Sequence, residues 1–63
     1  MLTLNQRSYL TDFILRRAAF ASEWIWDLTE KITLEQRNEL LAIKDNDQLK
    51  EKVKELLMQF VII

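Results

Sequence analysis

Apolar and polar positions follow a helical period along most of this chain. At 100° per residue, Leu10, Ile14, Ala18, Ala21, Ile25 and Leu28 fall on one face, with Phe13 and Trp24 widening it. Asn5, Asp12, Arg16, Glu23 and Asp27 fall opposite. The pattern predicts one long helix from about residue 4 to about residue 28, with Asp27–Lys31 as its exit. A second helix, about 34–44, is marked by Leu34, Leu40, Leu41 and Ile43. A third, about 48–61, carries Leu49, Val53, Leu56, Leu57 and Phe60 on one stripe and lysine and glutamate on the other. Asp45-Asn46-Asp47 reads as the turn between them, because these side chains compete with helix by bonding nearby backbone, and Asp47 suits an N-cap.

One short pattern occurs twice. Residues 2–10 read LTLNQRSYL and residues 32–40 read ITLEQRNEL. Both are capping boxes, in which Thr3 or Thr33 accepts from the amide three positions on while Gln6 or Gln36 reaches back to the cap amide. Leu2 and Ile32 precede the caps, where a hydrophobic staple begins. Two copies of a helix-start signal predict two helix starts.

Composition sharpens the fold class. The chain has no glycine and no proline, which disfavours the tight turns that sheets need and predicts an all-α fold. At 63 residues there is room for one small core, and chains of this size need a staple. With no cysteine and no histidine, disulfides are excluded and a zinc site is disfavoured, which leaves self-association. Length points the same way. A helix over 4–28 would be roughly 37 Å long, whereas a compact globule of this size is about 27 Å across. The expectation is a small helical bundle, one long N-terminal helix packed against two shorter ones, completed by dimerisation.

Candidate functional residues follow from what that bundle cannot bury. Leu15, Ala19 and Trp26 lie well off the main stripe of the long helix, with Ser22 beside them, and form a second strip suited to an interface. Trp24 and Trp26 sit about 160° apart on a helix, so they cannot face one core together. Trp24 reads as core and Trp26 as interface. Arg17 lies near the middle of the apolar face and must snorkel, pair with an acid or face a partner. The interface reading therefore takes in Leu15, Arg17, Ala19, Ser22 and Trp26.

Other chemistries find little support. Without histidine or cysteine, the commonest general base and the strongest nucleophile are missing, and neither Ser8 nor Ser22 has a plausible activating partner. No catalytic, cofactor or metal residues are assigned, and no enzyme activity is expected. The formal charge of −1 argues against non-specific nucleic-acid binding. Helix 2, the turn and helix 3 have roughly helix-turn-helix dimensions, but Asp47 and Glu51 at the start of the last helix would repel phosphate. No membrane span or secretory signal is visible, so the cytoplasm is expected. The sequence reading is a non-enzymatic protein-binding regulator or adaptor working through helix–helix contacts as a homodimer, of the kind that compact bacterial and phage genomes encode. Its rivals are a small DNA-binding transcriptional regulator and a self-associating structural piece.

Overall fold

The computed structural model describes residues 1–62. Among them the chain forms four helices and no strand: α1 Leu4–Leu15, α2 Ser22–Lys31, α3 Leu34–Ala42 and α4 Asn46–Phe60. Neighbours pack in the order α1, α2, α4, α3 and back to α1, so the four helices close a ring around a shared core. The core is built from Leu10 and Ile14 of α1, Ile25 and Leu28 of α2, Leu40 of α3, and Leu49, Val53, Leu56 and Leu57 of α4. Leu2 and Ile32 seal it from just outside the helix starts.

Both capping boxes form. Thr3 Oγ1 accepts from the Gln6 amide at 3.1 Å while Gln6 Oε1 accepts from the Thr3 amide at 2.9 Å. Thr33 and Gln36 repeat the exchange at 3.2 and 2.9 Å. The repetition extends beyond the caps. Leu2 and Ile32 are buried, Leu10 and Leu40 are buried, Leu4 and Leu34 are exposed, and Arg7 and Arg37 are half-buried. Each of those arginines stands over an aromatic ring, Arg7 over Trp26 at 4.1 Å and Arg37 over Tyr9 at 5.9 Å.

The single helix expected over 4–28 is instead two helices. The chain leaves α1 after Leu15 and re-enters helix at Ser22, with Ala21 extended at φ −66°, ψ 128°. Nothing in Arg16–Ala21 forbids helix, and alanine favours it. Tertiary burial overrides that preference. A straight helix would hold Phe20 well off the stripe of Leu10 and Ile14, and would carry Ile25 and Leu28 beyond the reach of the remaining core. The reversal lets Phe20 pack on the core and brings Ile25 and Leu28 back beside Leu10 and Ile14. For the same reason Asp27–Lys31 is helix rather than exit.

The later boundaries lie near those expected, but α4 is capped one turn-residue pair earlier. Asp45, not Asp47, is its N-cap, and its carboxylate accepts from the Asp47 amide at 2.8 Å. Phe60 and Val61 fold onto the core, and Ile62 beyond them is exposed. Ile63 lies outside the described residues. With α1 halved, the length argument for dimerisation disappears. The radius of gyration is 10.3 Å and the extents are 26 × 25 × 19 Å, so the chain closes its own core within the expected globule.

Candidate protein-interaction surface

α2 owes its position to α1. The two run antiparallel, and the contact is fixed by Arg7, which rises from the first turns of α1 against the last turns of α2. Its Nε donates to Thr29 Oγ1 at 3.1 Å and its Nη2 donates to the Trp26 carbonyl at 3.3 Å. Thr29 is fully buried and donates its own hydroxyl to the Trp26 carbonyl at 2.6 Å. Thr29 therefore accepts and donates within one small network, which meets the requirement that a buried polar group be satisfied. The Arg7 guanidinium covers one side of the Trp26 indole, and Glu30 approaches it at 4.0 Å.

The inner side of α2 is filled by Ile25, Leu28 and Thr29, all buried. Its outer side is Glu23, Asp27, Glu30 and Lys31, flanked by the two tryptophans in helical register. Trp24 is 46% exposed and Trp26 is 36% exposed. Large aromatic rings left half in water on a helix whose inner face is complete are the least economical feature of this surface, since their burial dominates interface energetics.

The other residues of the expected interface separate. Leu15, the last residue of α1, is half-buried against the core. Ala19 is exposed in the connector, and Ser22 is exposed at the start of α2, one turn before Trp26. Arg17 turns the other way. Its Nε donates to Asn46 Oδ1 at 2.8 Å, its Nη1 to the Ile43 carbonyl at 2.8 Å, and its Nη2 to the Lys44 carbonyl. The guanidinium also lies over the Phe13 ring at 4.9 Å. Each of its three nitrogens donates within the chain, and two of them satisfy carbonyls at and just beyond the end of α3. The sequence shows that Arg17 sits on the apolar face. It does not show that a neighbouring connector supplies the acceptors.

Sequence reasoning missed Arg7 and Thr29 as a pair. The available signal was a threonine one turn after Trp26 on the buried side of α2, which called for a donor or acceptor from a facing helix. Concavities elsewhere are shallow. One of about 170 Å³ is lined by Tyr9, Asp12, Phe13 and Arg16, and Arg16 there is already paired to Asp12 at 3.0 Å. A larger trough of about 670 Å³ follows the charged outer side of α4 from Asp47 to Met58. Among the described residues no helix is long and apolar enough to cross a membrane. No protein-family model, curated protein or solved structure matches this chain.

Proposed function

We propose that this chain is a non-enzymatic protein-binding module, a small regulator or adaptor, acting through helix–helix contact on the outer side of α2. The observation that carries this is the exposure of Trp24 and Trp26 on a helix whose inner side is already packed. Tryptophan is enriched among residues that dominate binding energy. Arg7 holds the Trp26 ring in one orientation, so little side-chain entropy is left to lose when a partner covers it. The rival reading as a DNA-binding regulator gains nothing from α4, whose first turns present Asp47 and Glu51 alongside Lys50.

Homodimerisation is the second reading, and its observation lies at the α1–α2 connector. Ala19 and Ser22 are exposed and small beside half-buried Leu15, so a helix of another copy can come close there. A standard interface takes about 800 Å² from each partner, roughly a fifth of the 4378 Å² accessible surface of this chain. Light scattering after size exclusion separates the readings, using wild type, Trp26→Ala, Leu15→Ala and Ala19→Glu. A dimer dissociated by Ala19→Glu or Leu15→Ala supports the connector as a self-interface. A monomer throughout leaves the α2 surface free for a different protein. A dimer that only Trp26→Ala dissociates places self-association on α2 itself.

A further inference from the structure

We propose that the α1–α2 connector is a hinge, which straightens into one continuous helix so that α1 is exchanged with the α1 of a second copy of this chain. Association by exchange needs no surface beyond the seat that α1 already occupies in the monomer. It is independent of what binds the outer side of α2.

The connector has the makings of a helix. The Ala18 amide still donates to the Ile14 carbonyl at 2.9 Å, and the Ile25 amide already donates to the Ala21 carbonyl at 3.3 Å. Among the described residues, the amides of Ala19, Phe20, Ala21, Ser22 and Glu23 find no acceptor in the chain. A continuous helix gives each of them a carbonyl four positions back. No residue at the break has a positive φ, and Ala21 holds a helical φ of −66°. At Ala21, then, straightening is a rotation of ψ away from 128°. The chain contains no glycine or proline to oppose it. Phe20, packed on the core, is what the closed connector gains in exchange.

The apolar stripe identifies the second copy as the partner. On a straight helix it reads Leu10, Ile14, Ala18, Ala21, Ile25 and Leu28, the same residue types from either end. Two such helices laid antiparallel about a two-fold axis set Leu10 against Leu28, Ile14 against Ile25 and Ala18 against Ala21 of the other copy. α1 and α2 are already antiparallel in the monomer, where Arg7 early in α1 bonds Thr29 late in α2. α1 therefore enters the other copy's seat in its present orientation and remakes its contacts there. Ala18 is half-buried and Ala21 exposed in the closed connector. At the two-fold axis both become a central layer, small enough for the two backbones to come close.

The test measures the length of the hinge region within one chain. Leu4 and Lys31 are exposed, and the chain has no cysteine, so Leu4→Cys with Lys31→Cys takes a spin label at each end. The labelled chain is refolded with excess unlabelled protein at about millimolar concentration, where a second copy competes with the chain's own α1. Monomer and dimer are separated by size exclusion, and the label distance is read by pulsed dipolar spectroscopy. In the monomer both label sites lie within a molecule 26 Å across. In the dimer they are expected to spread to about 40 Å, the span of a straight helix from residue 4 to residue 31. Ala21→Asp caps a separate α2 and disfavours a helix interior, by about fifteenfold per hinge, and is expected to weaken a two-hinge dimer about two-hundredfold. Phe20→Ala removes the contact that favours the closed connector and is expected to strengthen the dimer about tenfold or more. Circular dichroism establishes that each variant folds. A dimer that keeps the monomer's label distance overturns the exchange and leaves side-by-side contact at the connector as the mode of self-association. A dimer unmoved by Ala21→Asp overturns the hinge. If neither wild type nor Phe20→Ala dimerises, the proposal falls, and the reading of α2 as a binding surface is unaffected.

Discussion

The break between α1 and α2 can be tested by the sign of a single substitution, Ala21→Asp. Ala21 is the N-cap of α2 and provides no side-chain bond to the first turn. Its carbonyl accepts from the amides of Trp24 at 3.1 Å and Ile25 at 3.3 Å, so the backbone is already in capping geometry. An aspartate here can accept from an amide of the first turn, a gain of about 1 kcal/mol over alanine. The positive end of the helix adds a few tenths, and Glu23 two positions on takes a similar amount away. The net expectation is a stabilisation of about 1 kcal/mol. If residues 4–28 were one continuous helix, position 21 would be interior, and aspartate there would cost about 0.6 kcal/mol relative to alanine. The swing is about 1.6 kcal/mol. For a domain of this size each kcal/mol moves the melting temperature by about 4–8 °C. A thermal melt followed by circular dichroism therefore reads a rise of about 4–8 °C for the broken helix. A fall in Tm would refute the reversal and restore the long helix with its demand for a second chain.

Three further outcomes follow from the same network of contacts. Arg17→Met keeps the apolar stem but removes the donors to Ile43, Lys44 and Asn46 and the stacking over Phe13. Because two of those acceptors can return to water, the loss is set at about 2–3 kcal/mol, with Arg17→Lys intermediate, read from urea titrations. A loss below about 0.5 kcal/mol would show that the α3–α4 connector holds without it. The repeat-equivalent arginines are expected to differ: Arg7→Met loses the bonds to Thr29 and Trp26 and costs about 2 kcal/mol. Arg37→Met is near neutral, since the Arg37 Nε is buried without an acceptor. Equal losses at the two positions would contradict that contrast. Removing either cap, by Thr3→Ala or Thr33→Ala, costs about 1 kcal/mol in the same titration, and a much larger effect at one would mean that its helix nucleates the fold.

Legibility followed the range of the interaction. The capping boxes at Thr3 and Thr33 are local, spanning three residues, and the sequence shows them outright. The apolar stripes of α3 and α4 are likewise local. The α1–α2 reversal is not, because Arg16–Ala21 contains no residue that stops a helix. It is set by Phe20, Ile25 and Leu28 reaching the core, which depends on where α4 lies. The same limit applies to the candidate surface. The angular separation of Trp24 and Trp26 was readable from their spacing, and both prove half-exposed rather than one of them core. The role of Arg17 was hidden because its acceptors are main-chain carbonyls, which carry no sequence signature. Its burial among apolar residues was visible and its partners were not.

Arg17 also bears on the order in which this protein comes apart. The helices and their caps close over short stretches of chain, which favours rapid formation. The bonds from Arg17 span 26, 27 and 29 positions and join the two reversals, so they can form only after both connectors are in place. Interactions that complete late are absent from the barrier to folding and act on escape from the native state. Arg17 is thus a latch on the lifetime of the fold. In stopped-flow measurements, Arg17→Met is expected to steepen the loss of native protein by raising the unfolding rate, while the refolding rate stays close to that of wild type.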